Sequence, residues 1–296
     1  MTAKKLMVQG TFTGAGKSFL VALLCRIFRE EGYKVAPFKL LNWTGVVHRD
    51  EEGREFGYSQ VLQTVAAGTK PDYRTNPFTP KTLPGGKLDL LIEGRPIYRG
   101  YTFPWTLLKG WTIRRRRIWA KVKEAGKRCF EGLAAEHDIV VIEGSGPSKV
   151  LRMGFYTQMI EIANQWVAET FDAPVIIVGK CPQAVPPLLS HLKPEQRERV
   201  KGMVLNPFVA PQMLSHLTGE KEELFEKELA AGVEKEVGLK VYGVLPFFEE
   251  LSKLPPLDPI LWGEKPPLGP WEKIISKIAR EARDHLDVEG LLKLAK

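Results

Sequence analysis

Residues 10–18 read GTFTGAGKS. Three glycines in so short a run let the backbone turn its N–H groups inward, and the lysine that follows adds a mobile positive charge. The usual phosphate-loop spacing is G-x-x-x-x-G-K-[ST]. Here Gly10 and Gly16 are separated by five residues rather than four. The flanks are still those of a phosphate loop: an apolar run, Leu6–Gln9, precedes it and an amphipathic pattern follows from Lys17. The chemistry implied is binding of a nucleoside triphosphate. Lys17 would bridge the β- and γ-phosphates, Ser18 would offer its hydroxyl to Mg²⁺, and the helix N-terminus would add its dipole. Thr11, Thr13, Gly14, Ala15, Gly16, Lys17, Ser18 and Phe19 are the candidate nucleotide contacts. A second element reads DIVVIEGSG from Asp138. An apolar strand ending in a carboxylate, Glu143, is where such ATPases hold their metal ion.

Alternating elements must position these groups. Leu6–Gln9, Val35–Phe38, Ile139–Ile142, Val175–Val178, Gly202–Leu205 and Val241–Leu245 are short β-rich apolar runs, as buried parallel strands are. Helical patterns fit at about 17–31, 55–68, 114–135, 156–170, 184–199, 221–236 and 269–285. Alternation of this kind predicts an α/β fold, a doubly wound and mostly parallel sheet with flanking helices, whose ligands sit at the carboxyl ends of the strands. One domain over residues 1–296 is expected. Residues 69–112 break the rhythm with Pro, Gly and aromatics. They predict an inserted loop and a small hairpin around Gly94–Pro96 over the active face.

The net charge of +8 favours anionic partners. The sharpest basic run, Arg114–Arg117, opens a helix with apolar residues at Ile118, Val122, Ala125, Cys129 and Leu133. It reads first as a solvated helix face and second as an anion clamp. Nucleic acid comes third, since no recognised motif accompanies the run. Cys25, Cys129 and Cys181 are too widely spaced for a zinc site or a disulfide framework. No apolar run near the N-terminus could span a bilayer and no signal-peptide layout is present, so a cytoplasmic protein is expected.

Taken together, these segments resemble the ATP-binding synthetase domain of cobyric acid synthase, a relative of dethiobiotin synthetase and cobyrinic acid a,c-diamide synthase. MVQGTFTGAGKS is similar to that family's first strand and loop, including the five-residue gap. VAPFKLLNW contributes Lys39 and Asn42, and EFGYSQVLQTVAAG contributes Glu55, Gly57, Gln60 and Gln63. TNPFTPKT contributes Asn76 and Lys81, DIVVIEGSG contributes Ser145 and Gly146, VKGMVLNPF contributes Asn206, and VYGVLPF contributes Pro246. IEGRPIY resembles the family hairpin, and Asn164 falls in a helix where the family also has Asn.

The resemblance implies a dethiobiotin-synthetase-like phosphate-loop NTPase fold and an ATP- and Mg²⁺-dependent carbon–nitrogen ligase of cobalamin biosynthesis. ATP would phosphorylate a carboxylate and ammonia would then displace the phosphate. Lys17, Lys39 and Glu143 take the catalytic roles. Ser18, Glu55 and Glu143 hold the metal, and Asn206 and Pro246 lie at the base. Lys39, Asn42, Gln60, Asn76, Lys81, Ser145 and Gly146 face the substrate, a corrinoid or another polycarboxylate.

Departures narrow this reading. The family's glutamine-hydrolysing domain has no room in the 50 residues after Pro246 (296 − 246), so ammonia is expected free or from a separate glutaminase subunit. Gly14 stands where cobyric acid synthases have Asp. KCPQAV at 180–185 replaces an acidic, Gly-rich loop, and PSKVLRM at 147–153 introduces Lys149 and Arg152. A substrate unlike the usual corrinoid would follow. The alternative is a divergent paralogue with retained ATPase: a dethiobiotin-synthetase-like ligase, or a partner-regulated nucleotide switch acting as a homodimer. Residues 10–16 contain no lysine, which disfavours the switch. Neither nucleic acid nor membrane is an expected partner.

Overall fold

A computed structural model describes residues 3–102, 112–148, 155–180, 182–206, 222–257 and 263–295, with backbone alone at 101–102, 112–115, 155–157 and 222–223. Among the described residues eleven strands run in chain order: β1 (Lys4–Gly10), β2 (Val35–Phe38), β3 (Val47–Arg49), β4 (Glu55–Gly57), β5 (Phe78–Leu83), β6 (Lys87–Ile92), β7 (Arg95–Thr102), β8 (Ile139–Glu143), β9 (Val175–Gly179), β10 (Val200–Leu205) and β11 (Val241–Val244). The described α-helices are α1 (Lys17–Glu30), α2 (Tyr58–Ala67), α3 (Thr112–Glu136), α4 (Phe155–Glu161), α5 (Val167–Thr170), α6 (Val185–Ser190), α7 (Pro194–Arg199), α8 (Glu222–Val237), α9 (Glu249–Ser252), α10 (Leu268–Ala282) and α11 (Val288–Leu294).

Six strands form the central sheet in the order β11-β10-β9-β1-β8-β2, and every pairing in it is parallel. The six apolar runs of the sequence are these six strands. Both faces are covered. Alternate residues point to opposite sides, so Leu6 and Val8 join a core with α1, α2 and α10, while Met7, Val140 and Ile142 join another with α3 and the 155–170 segment. The chain leaves β1 toward β2 on one side and returns to β9 on the other. The crevice where strand order reverses therefore opens at the carboxyl ends of β8, β1 and β9.

Four elements depart from the sequence reading. Helix 55–68 begins only at Tyr58, because Glu55–Gly57 pair with β3 as strand β4. The helix expected at 184–199 is two, and Lys193 is extended (φ −63°, ψ 156°) because a residue before proline avoids the helical region. The 156–170 helix carries a π turn over Ile162–Trp166. Segment 69–112 contains the expected hairpin, β6–β7 turning at Glu93–Gly94, but β5 adds a third antiparallel strand. That sheet is tied to the central one. Phe78 N–H donates to Leu40 O at 3.0 Å, and Asn42 N–H donates to Phe78 O at 3.0 Å.

On α3, Ile118, Val122, Ala125, Cys129 and Leu133 are all buried, while Arg116 and Arg117 are exposed. For these two arginines the solvated-face reading holds. The side chains of Arg114 and the residue after it, as well as Lys149, Arg152 and Cys181, lie outside the described residues.

Candidate nucleotide and carboxylate site

At the carboxyl end of β1 the chain enters the glycine loop. Gly14 (φ 86°) and Gly16 (φ 104°) adopt left-handed backbone, which a side chain would strain, and Gly16 caps α1. A Cβ on Gly16 would also meet Asn206 Nδ2 at 2.4 Å. Thr11 N–H bonds Val178 O at 3.2 Å, and Ala15 is fully buried. Thr13 and Gly14 are exposed at the loop's outer turn. The Lys17 stem lies over Gly10, and its ammonium reaches Phe12 O at 3.4 Å.

Three elements distant in sequence converge beside this loop. Ser18 Oγ donates to Glu143 Oε1 at 2.8 Å. Lys39, immediately after β2, places Nζ 2.8 Å from the same oxygen. Gln63 on α2 donates its amide to Glu143 Oε2 at 2.5 Å and to Ser18 O at 3.3 Å. Lys17, Lys39 and Glu143 are only 7%, 3% and 1% exposed. Lys39 pairs with the buried carboxylate, and Lys17 adds a second buried ammonium in the loop at the helix N-terminus, an arrangement suited to a polyanion.

Mg²⁺ fits this donor set. Ser18 and Glu143 offer hard oxygens, and neighbouring corners of a Mg²⁺ octahedron lie about 3.0 Å apart for bonds near 2.1 Å. The observed 2.8 Å is close to that edge. Among the described residues no group of three or more His, Cys, Asp or Glu could hold a metal alone.

The remaining candidates divide into two neighbouring groups. Asn42 Nδ2 donates to Ser59 Oγ (3.0 Å) and Gln60 Oε1 (2.9 Å), and Asn76 accepts from Gly57 N–H (2.9 Å) and Thr79 Oγ1 (2.8 Å). Asn76 also donates to Lys39 O at 3.0 Å, so this amide cluster braces the lysine. A Cβ on Gly57 would lie 2.2 Å from Asn42 Nδ2 and 2.6 Å from Gln60 Oε1, so a side chain there would displace the cluster.

Glu55, expected at the metal, lies instead between Lys81 (2.8 Å) and Arg49 (2.7 Å) at the rim. Its place on β4 rather than on α2 puts it beside Lys81 of β5. Burial raises the Glu55 pKa, but the hydrogen bonds from Lys81 and Arg49 outweigh it and hold the carboxyl below its ordinary value. Asn206 spends an amide hydrogen on Ala15 O at 3.0 Å and so braces the loop. Pro246 is buried after β11, two residues before Phe248, whose ring is tilted 59° to that of Phe19 with centroids 5.7 Å apart. Ser145 donates its hydroxyl to Leu41 O and is buried, which makes it a brace, and Gly146 turns with φ 58°.

The sequence reading noted Asn164 only by its resemblance and gave it no role, yet it shapes the turn after Glu143. Asn164 in the π turn accepts from Ser145 N–H at 2.9 Å and donates to Ser145 O and Pro147 O at 3.0 and 2.9 Å. A Cβ on Gly144 would meet its Oδ1 at 2.3 Å. Gln9, Ser148 and Gln165 extend the network. A glutamine at the end of an otherwise apolar strand was the available signal. Neither described free cysteine is poised to react. Burial, and secondarily Glu143, raise the Cys25 thiol, and burial with Glu93 pushes Cys129 up to about 12.

The CobQ/CobB/MinD/ParA nucleotide binding domain model matches residues 6–256. The chain belongs to this family. Within it, the chain is 34% identical over 268 residues to cobyric acid synthase of Desulfitobacterium hafniense, covering 89% of this chain and 47% of that protein. It is 32% identical over 252 residues to cobyric acid synthase of Thermoanaerobacter sp., covering 83% and 45%. The chain thus spans about half the length of these curated relatives. Among solved structures, MinD of Aquifex aeolicus matches at 13% identity and a TM-score of 0.40, over 96% of this chain and 98% of that one. A nucleotide-binding role follows from family membership. No described helix is long and apolar enough to cross a membrane.

Proposed function

We propose that this chain is the ATP-dependent carbon–nitrogen ligase component of a cobyric-acid-synthase-type reaction, acting on a corrinoid or related polycarboxylate. The observation that carries the reading is Lys39. It supplies a second buried ammonium, from a different strand than the phosphate loop, at the point where the terminal phosphate and an incoming carboxylate would meet. A phosphate loop that only binds nucleotide has no need of it.

In the reaction, a substrate carboxylate oxygen bonds to the γ-phosphorus of ATP as the bond to the β–γ bridging oxygen breaks, and ADP leaves. Ammonia then adds to the acyl carbon, phosphate departs with the former carboxylate oxygen, and the ammonium proton passes to solvent. The protein positions and neutralises charge. Lys17 holds the β- and γ-phosphoryl oxygens. Lys39 swings from Glu143 to the carboxylate and phosphoryl oxygens between which the new bond forms. Asn76, on the Lys39 carbonyl, fixes where that lysine starts. Ser18 and Glu143 would hold Mg²⁺, which supplies Lewis-acid neutralisation of the developing phosphate charge when bound. Asn206 and Pro246 border the base, and Asn42, Gln60 and Lys81 border the substrate. Glu55 acts by holding Lys81, which replaces its expected place at the metal.

The test is ATP turnover with ammonium, with and without cobyrinic acid a,c-diamide, with product amides followed by mass spectrometry. Corrinoid-stimulated ADP release with one added amide per phosphate supports the ligase. Hydrolysis indifferent to corrinoids would reject it and leave the divergent ATPase.

A further inference from the structure

Gln63 has no place in the chemistry above, yet it touches both groups that would hold the metal. It is 1% exposed and lies on α2, beside the carboxyl end of β8. Its Nε2 donates to Glu143 Oε2 at 2.5 Å and to Ser18 O at 3.3 Å. Both neighbours are acceptors, so the amide orientation is fixed by chemistry: only the NH₂ end can face them. Its other end, Oε1, is buried and has no hydrogen-bond partner among the described residues.

A buried amide normally satisfies both ends, and an orphaned acceptor costs about 1–3 kcal/mol. An amide that serves only packing would be replaced at a gain by an apolar side chain. Its Nε2 also has a specific consequence. By occupying Oε2 it leaves Oε1 of Glu143 as the oxygen turned to Ser18 and Lys39.

We propose that Gln63 is the positioning residue of the metal site. One amide group holds the metal-binding carboxylate through its Oε2 and the backbone of the metal-binding serine through its carbonyl. The inference rests on the nucleotide–metal reading of Ser18 and Glu143 and adds the group that orients them. Residues behind metal ligands act through orientation and basicity, and their loss lowers metal affinity by about 10–100-fold.

The experiment titrates MgCl₂ into the full chain with a fluorescent ATP analogue, for wild type and Gln63→Met, and measures analogue affinity separately in EDTA. Met keeps the length and bulk of the stem and removes the amide. The expected result is a Mg²⁺ midpoint raised about 10–100-fold, with affinity in EDTA unchanged. Equal losses in EDTA and in Mg²⁺ would make Gln63 a structural residue, and an unchanged midpoint would remove it from the site; either overturns the proposal. In a cycle with Glu143→Gln, the double variant should match Glu143→Gln alone, since Gln63 acts through that carboxylate. Additive losses overturn the proposal. If Gln63→Met does not fold, Gln63→Asn is titrated in its place, because it keeps a buried amide but withdraws it by one methylene; the same shift is expected. A wild-type chain that binds no nucleotide in either buffer defeats the nucleotide–metal reading itself, an outcome distinct from a normal wild type with an unaltered variant.

Discussion

Two lysine–glutamate pairs with the same 2.8 Å separation flank the site. Lys39–Glu143 joins the ends of two central strands, with side chains 4% and 0% exposed. Lys81–Glu55 joins β5 of the three-stranded sheet to β4, with side chains 20% and 12% exposed. Distance does not separate them; surroundings do. Two charges withdrawn from water carry a large desolvation cost, so the inner pair is weak evidence for stability. The outer pair keeps part of its hydration and its attraction is screened, so it fastens the small sheet at modest gain. On the function proposed above, the inner pair holds a charge for a ligand, whereas the rim pair is a fastening.

Breaking the inner pair gives the largest effect. Lys39→Ala should lower ligase turnover about 10²–10³-fold, the usual cost of one preorganised charge at a reacting oxygen, read as amide product per unit time. Glu143→Leu should cost about 3–5 kcal/mol of stability, because a buried ammonium loses its carboxylate; urea unfolding measures it. A midpoint unchanged by that substitution would show that the Glu143 charge is not held at a cost, and the comparison would fail.

Gly144→Ala probes the turn behind the inner pair. Its Cβ would lie 2.3 Å from Asn164 Oδ1. Overpacking of this kind costs about 1–3 kcal/mol, seen as a lowered thermal midpoint together with weakened Mg²⁺ response. Loss of stability with a normal Mg²⁺ response would separate the turn from the metal site.

The rim pair responds more weakly. Lys81→Met should change global stability by less than about 1 kcal/mol, while loosening the small sheet in amide hydrogen exchange. Acid should do the same. The folded Glu55 carboxyl lies below its ordinary value. Its contribution is thus complete above the unfolded value near 4.3 and is lost as pH falls through the lower folded value. Protection of β5 and β6 amides that faded instead between neutral and mildly acid pH would point to another group. Smallest of all, Arg116→Gln with Arg117→Gln should stay within about 0.5 kcal/mol in unfolding and leave nucleotide affinity unchanged, since both side chains are exposed.

The glycine loop, the six strands of the sheet and the buried face of α3 were legible because each is a local pattern. A strand alternates or is apolar throughout, a helix repeats at 3.6, and a phosphate loop must place small residues where the backbone turns. Glu55 shows where local pattern misleads. EFGYSQVLQTVAAG reads as one helix, yet Gly57 is extended at φ −58° and ψ 133°. Its missing Cβ is what the Asn42–Gln60–Asn76 amides require. That requirement comes from residues far along the chain, and no window of sequence contains it.

By itself, then, the sequence determined the six strands of the central sheet and the glycine loop that follows the first of them. These follow from steric and hydrogen-bonding limits acting over a few residues. Only the tertiary structure decided that Lys39 and Gln63 would both close on Glu143 while Glu55 would not. The order β1-β8-β2 brings Glu143 between Ser18 and Lys39, and the packing of α2 over that edge delivers Gln63 to the same carboxylate. Such contacts span up to 125 residues of chain. They are fixed by the pairing and packing of whole elements rather than by any preference of the residues that make them.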